Sequence, residues 1–370
     1  MQRIFVPILE YFCNYLRAMQ VDVLIVGQGI CGTLLSWFLH REGKSVLVVD
    51  AGLENSSSKV AAGVINPVTG RRYTTSWMAD ELMDFAGVTY ATIAEELGTP
   101  LLYKKSIIDF FPTPQMRNTF IERLTENDTY LYAYPDQNHF NPIFQYDFGC
   151  GEIGPAFTLH LQVLLSQWQE KLKQRGQLRT EQFRPEDVQH EDDAVHYHDI
   201  VARKIVFCEG TGGTSNPWFS LLPFSSNKGE ALILECDSLD RQHIYKRGML
   251  LVPLASEGLF WLGSNYQWEF EDDKPSPTFY QTASQLLSQW LKLPFKIVDH
   301  KAAVRPATLE RRPFVGFHPQ FPNIGILNGM GTKGASLAPF FAHQLAQHIV
   351  YDFPIAPEAD VHRFSRILSK

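Results

Sequence analysis

Gly27-Gln28-Gly29-Ile30-Cys31-Gly32, close to the start of the chain, has the residue types and spacing of a phosphate-binding turn. Gly27 permits the tight turn, Gly29 lets the backbone approach a pyrophosphate, and Gly32 lets the following helix pack close on a sheet. A helix starting there presents unpaired N–H groups and a partial positive charge to the phosphates. Asp50 ends the next apolar run, where a carboxylate can accept from ribose hydroxyls. Together these residues indicate an adenine dinucleotide without saying which one.

A second glycine turn lies near the other end, Asn328-Gly329-Met330-Gly331-Thr332-Lys333-Gly334. It reads either as an ordinary helix cap or as a second anion-tolerant helix terminus. A flavin gains negative charge at its N1–C2=O edge on reduction, and a helix N-terminus, with Lys333 adding to it, stabilises such charge. A nicotinamide cofactor has no such need, so this turn favours FAD. Arg305-Pro306-Ala307-Thr308 stands shortly before it. The planar guanidinium fork of Arg305 suits a substrate carboxylate, although a surface salt bridge is the plainer reading for an arbitrary arginine.

These residues need elements to position them. Val21–Val26 and Ser45–Asp50 read as strands flanking a helix over Cys31–Arg41, a β-α-β unit that implies a parallel sheet. Helices are predicted over 78–97, 158–174, 280–292 and Ala335–Val350. Strands are predicted over Ser106–Phe111, Lys204–Cys208, Ala231–Glu235, Met249–Pro253, Leu259–Gly263 and Gly325–Leu327, with Gly258 in a hairpin joining the fourth and fifth. Residues 126–155 lack a clear period and read as loops and short strands.

Two glycine turns at opposite ends imply a nucleotide domain assembled from both ends of the chain. The expected fold is α/β (α+β overall), a Rossmann-like FAD-binding domain with a second, mostly antiparallel mixed-sheet substrate domain. The expected division is 20–85, 150–222 and 300–370 for the discontinuous FAD-binding domain, and 86–149 and 223–299 for the substrate domain.

Composition narrows the function. The 370 residues carry a formal net charge of -7 and no long Lys/Arg run, which disfavours nucleic acid as a partner. No stretch is long and apolar enough to suggest an integral membrane span. Cys13, Cys31, Cys150, Cys208 and Cys236 are scattered and odd in number, which argues against a disulfide framework or a metal site and for a reducing, cytoplasmic setting. Residues 1–18 read as an N-terminal extension. Ile4, Phe5, Ile8, Leu9, Phe12, Tyr15 and Leu16 fall on one helical face there, so a membrane-surface helix is one reading; Met19 as the true start, just before the first strand, is the plainer one.

The ordered set of motifs resembles the D-amino-acid oxidase superfamily of FAD-dependent oxidoreductases, which includes glycine oxidase and sarcosine oxidase. The resemblance runs from about residue 20 to 350. It rests on the first glycine turn with Asp50, Ser56-Ser57-Ser58-Lys59-Val60-Ala61-Ala62-Gly63, Ile205-Val206-Phe207-Cys208-Glu209-Gly210, Lys228-Gly229-Glu230, and Arg305-Pro306 through Pro313-Phe314-Val315-Gly316 to the second turn. It implies that Ile30 and Ala51 join the cofactor site. Ser57, Ser58, Ala62 and Gly63 would run beside the pyrophosphate and flavin, and Gly210 would pass near the ribityl and phosphate region. Gly329, Gly331, Thr332, Lys333 and Gly334 would face the flavin pyrimidine edge. Arg305 would hold the substrate carboxylate.

Some residues depart from the family pattern. Glu310 and Arg311 replace the usual Asp and Gly after Arg305-Pro306, and the extra charge of Arg311 fits a more anionic substrate. Arg71 and Arg72 either face the substrate or are solvated. No cysteine follows Arg305 where the sarcosine oxidases attach flavin, which implies non-covalent FAD. The second turn and the Asn66 segment are also similar to the oxidase half of the bacterial enzyme that modifies the tRNA wobble uridine; this chain lacks the methyltransferase half.

The expected activity is oxidation of a C–H bond adjacent to an amine, in an amino-acid-like or N-substituted glycine-like carboxylate. Arg305 and Lys333 are the catalytic candidates, hydride passes to flavin N5, and O2 or another electron acceptor completes turnover. Aromatic residues Tyr245, Trp261, Tyr266 and Trp268 either wall the pocket or pack the core. The alternatives are a 2-hydroxyacid dehydrogenase, a tRNA-modifying oxidase and a flavin-binding protein without turnover.

Overall fold

A computed structural model describes residues 18–126, 129–191 and 193–369. The apolar face at Ile4–Leu16 and Cys13 lie outside them. The described residues build a mixed α/β fold around two large sheets.

The first sheet has a parallel centre. Met19–Val26 pairs with Val46–Asp50 on one side and Ile200–Phe207 on the other. Leu178–Thr180 adds beyond Val46–Asp50, and Phe321–Asn328 adds beyond Ile200–Phe207, both parallel. Strands from the chain's start, middle and end therefore lie side by side. The central strands are apolar almost throughout because both faces are covered. Val23, Ile25, Val46 and Val48 face Leu34, Leu35, Phe341 and Leu345 of the helices Ile30–Arg41 and Gly334–Tyr351. Leu24, Val26, Leu47 and Val49 face Phe183, Tyr197, Phe219 and Phe364 on the other side.

The second sheet is antiparallel except for one parallel pair, Leu102–Phe110 with Ile244–Arg247. Its strand Asn227–Glu235 lies between Leu259–Gly263 and Lys296–Arg305. Met249–Pro253 and Leu259–Gly263 form the predicted hairpin, with Gly258 at φ +73°.

Several elements differ from the sequence reading. The predicted helix over 158–174 begins only at Leu161, because Cys150–Leu159 is a ten-residue strand. Its residues alternate weakly between polar and apolar because both faces are largely covered, so period alone did not reveal it. The first part of this strand occupies the end of the segment read as loops and short strands over 126–155. Pro114–Thr125 is an unpredicted helix, capped by Thr113 Oγ1 accepting from the N–H of Met116 at 3.3 Å. Cys150–Leu159 and Lys296–Arg305 both pair in the second sheet, so sheet membership crosses the expected boundaries at 150 and 300.

Candidate active site

A cleft of about 530 Å³ runs between the two sheets, from Asp50 and Leu53 at one end to Arg305, Tyr266 and Lys333 at the other. Its first end follows from backbone geometry. Gly27 turns at φ +99°, and a Cβ there would stand 2.5 Å from the carbonyl oxygen of Cys208. A Cβ on Gly32 would fall 1.9 Å from the carbonyl oxygen of Gly27, so Gly32 serves close packing and does not line the cleft. Gly29 is different: a Cβ there would meet only the Ser58 side chain, at 3.1 Å from its Oγ. That glycine leaves the backbone bare towards the cleft.

Asp50 braces this turn. Its carboxylate accepts from the N–H of Gln28 at 2.6 Å and of Gly52 at 2.7 Å. Each oxygen keeps a further lone pair for a ribose hydroxyl. Ser58 Oγ accepts from the N–H of Ile30 at 3.1 Å, which sets the Ser57–Val60 segment against the helix start. Ala51, Ser57, Ala62 and Gly63 line the same cleft, as does Gly210. Beside Gly210, burial pushes the Glu209 carboxyl up from its ordinary range, opposed by a hydrogen bond from Asn216 Nδ2 at 2.8 Å.

The second glycine turn closes on the first. A Cβ on Gly334 would lie 3.4 Å from Ile30 Cγ2, so the N-termini of the helices Ile30–Arg41 and Gly334–Tyr351 converge. Gly331, Thr332, Lys333 and Gly334 line the cleft. Gly329 does not: at φ +81° its missing side chain makes room for Thr308, whose Cγ2 would be 2.7 Å from a Cβ. Asn328 Nδ2 donates to the carbonyl of Gly210 at 2.8 Å and ties this turn to the middle strand.

Arg305 sits at the end of its strand, where the N–H of Gly331 donates to the carbonyl of Pro306 at 3.1 Å. The guanidinium donates to Asn227 Oδ1 at 2.6 Å, Ser264 Oγ at 2.6 Å and the carbonyl of Asn265 at 3.2 Å. Gly229 creates the space it fills, since a Cβ there would lie 1.7 Å from Nη2. The Tyr266 ring covers it at 4.8 Å. Every partner is neutral. Burial lowers the Arg305 pKa from its usual value, yet guanidinium basicity leaves ample margin for it to stay charged. Lys333 is likewise without an acid: its ammonium donates to Ser76 Oγ, and burial brings its pKa down to about 8.

Trp261 and Tyr266 line the cleft, but Tyr245 is buried core and Trp268 is exposed outside the lining. Arg71 and Arg72 are exposed on the turn after Val68–Thr69 and lie off the cleft. Arg311 is exposed too, so its charge is no argument for an anionic substrate. Sequence reasoning did not single out Asn227, Ser264 or Asn265. The only signals for them were the Lys228-Gly229-Glu230 motif beside Asn227 and the end of the hairpin at Gly263.

The residues fit a flavin dinucleotide. Gly29 is the bare cradle, two helix N-termini face one cleft, and the cleft has a polar end at Asp50 and a cationic end at Arg305 and Lys333. Comparison with known proteins agrees. A family model described as FAD dependent oxidoreductase matches residues 22–348. Glycine oxidase from Geobacillus kaustophilus superposes with a TM-score of 0.78 at 18% identity, covering 92% of this chain and 98% of that one. Iminodiacetate oxidase from Chelativorans sp. BNC1 gives 0.72 at 18% identity, covering 94% and 98%. L-proline dehydrogenase from P. horikoshii gives 0.72 at 15% identity, covering 94% and 99%.

Proposed function

The chain belongs to the family of FAD-dependent oxidoreductases, and from that premise we propose that it oxidises the C–H bond next to an amine nitrogen in a small amino-acid-like or N-substituted glycine-like carboxylate. The observation that carries this reading is Arg305, a largely buried guanidinium at the cleft wall with only neutral partners. Burying a charge without an acid is costly unless an anion completes the site. The names of the similar structures, glycine oxidase and iminodiacetate oxidase, describe amine carboxylates and support the same class.

In this reading Gly27, Gly29, Ile30, Asp50, Ala51, Ser57 and Ser58 hold the adenosine and pyrophosphate, and Ala62, Gly63 and Gly210 flank the middle of the cofactor. Gly331, Thr332, Lys333 and Gly334 face the flavin, with Gly32 and Gly329 shaping the turns from behind. FAD, held non-covalently, supplies the two-electron acceptor. The protein's contribution is orientation and charge. Asn227, Ser264 and Asn265 fix the guanidinium, which positions the substrate carboxylate and with it the reacting carbon. Leu250, Trp261 and Ala231 present apolar wall beside it and displace water. Two adjoining helix N-termini and Lys333 favour negative charge at the inner end of the cleft.

We take O2 as the final acceptor and the cytoplasm as the setting, in keeping with free, buried Cys31, Cys150, Cys208 and Cys236. No helix among the described residues is long and apolar enough to cross a membrane. An anaerobic panel of amino acids, N-substituted glycines and 2-hydroxy acids, followed by loss of the oxidised-flavin absorbance, tests the substrate class. Bleaching by amine carboxylates supports it; bleaching by hydroxy acids alone refutes it. Peroxide formed in step with substrate in air supports the acceptor.

A further inference from the structure

Among the described residues, the cleft around Arg305 and Lys333 offers no available carboxylate. Three acidic residues line the cleft: Asp50, Glu209 and Glu230. Asp50 and Glu209 belong to the nucleotide end, where Asp50 holds the Gln28 N–H and the Glu209 Cα lies 3.4 Å from a Cβ built on Gly27. Glu230 is fully buried, and its carboxylate is spent elsewhere. It accepts from the Ser276 N–H at 2.6 Å and the Ser276 hydroxyl at 2.7 Å, and pairs with His300 at 3.0 Å. Lys59, the third basic residue of the lining, is tied to the carbonyl of Leu53 at 2.7 Å. Arg305 and Lys333 are the other two basic residues of the lining, and their hydrogen-bond partners among the described residues are neutral.

They are neighbours by construction. The Gly331 N–H bonds the carbonyl of Pro306 at 3.1 Å, so the segment carrying Lys333 is stitched to the residue after Arg305. While the flavin is oxidised and neutral, a single carboxylate on Arg305 leaves the largely buried Lys333 ammonium without an anion. Its sole acceptor among the described residues is Ser76 Oγ, on the segment that follows the short hairpin Val68–Thr69 and Thr74–Thr75.

We propose that Lys333 is the anchor for a second anionic group on the substrate, so that this enzyme acts on an amine bearing two acidic groups rather than on a simple amino acid. The inference rests on the reading of Arg305 as the first carboxylate anchor. It makes Lys333 a specificity determinant: a dianion neutralises both buried cations, whereas a monoanion neutralises one.

The test is calorimetric titration of the FAD-loaded enzyme with unreactive ligands, straight-chain dicarboxylates from malonate to adipate against acetate to butyrate. The expected result is that one dicarboxylate binds at least about tenfold more tightly than every monocarboxylate, a difference of about 1.4 kcal/mol. Lys333→Met should abolish that preference, and Lys333→Arg should keep part of it. Bound flavin absorbance confirms that each variant is folded and loaded. Equal wild-type affinity for both ligand series overturns the proposal, as does a preference that survives in Lys333→Met. The latter result would leave Lys333 serving the cofactor alone. If monocarboxylates bind and Arg305→Ala abolishes that binding while no dicarboxylate is preferred, only this inference fails. If neither series binds, the reading of Arg305 fails with it.

Discussion

The two ends of the cleft are built by opposite means. At the nucleotide end the walls are backbone: a helix start, a glycine whose missing side chain opens the approach, and a carboxylate that spends two acceptor positions bracing the turn. At the substrate end they are side chains with buried positive charge, held by neutral groups from Asn227, Ser264, Asn265 and Ser76. A backbone site is rigid and fails by sterics. A side-chain site is adjustable and fails by charge.

Gly32→Ala should have the largest effect. Its Cβ would fall on the carbonyl of Gly27, and no flexible side chain stands there to yield. We expect loss of about 3 kcal/mol or more of stability together with FAD retention, read by thermal melts and bound-flavin absorbance. Arg305→Ala should leave flavin bound and lower kcat/KM for carboxylate substrates about a hundredfold or more, as removal of one member of a buried charge pair does. Gly29→Ala should separate cofactor from fold. Apo stability should change little, because its Cβ meets only Ser58, while FAD affinity drops about tenfold or more, or about 1.4 kcal/mol, in a fluorescence titration. An effect on apo stability as large as that of Gly32→Ala would erase the distinction between the two glycines.

Smaller effects come from titration. Burial brings the Lys333 pKa to about 8, so its attraction for an anion is fully present below that value and fades as pH rises through it. An ordinary lysine holds its charge up to about pH 10. Dicarboxylate affinity should therefore weaken from pH 7 to 9.5 in the wild type and stay flat in Lys333→Met. Far from the cleft, burial and then Arg175 lower the His40 pKa to about 4. The folded state then resists a proton that the unfolded chain accepts, so this histidine's contribution is present above about pH 6.5 and is lost as pH falls towards 4. His40→Gln should flatten the fall of melting temperature over that window.

The nucleotide end was readable in the sequence because it is local. Glycine spacing, flanking strands and Asp50 all fall within one β-α-β unit, and the physics of each glycine follows from its own neighbours. The second glycine turn was also recognisable, although its closure on Ile30 is a tertiary fact. Arg305 and Lys333 were visible as candidates because each sits beside a backbone signal, Pro306 and Gly334. Their polar supports were not: Asn227, Ser264 and Ser76 are ordinary polar residues in sequence, brought together by strands distant along the chain. Charge alone misled at Arg311 and left Arg71 and Arg72 open, since residue type does not reveal which way a loop arginine points. The strand Cys150–Leu159 was missed for a similar reason, its burial on both faces erasing the alternation that marks a strand.

The most direct test of one cleft holding both FAD and an amine carboxylate is anaerobic addition of such compounds, each beside its carboxamide, to the flavin-loaded protein. At least one carboxylate should bleach the oxidised-flavin absorbance within seconds to minutes, and its amide far more slowly. Equal bleaching by acid and amide, or none by any amine carboxylate, would contradict it.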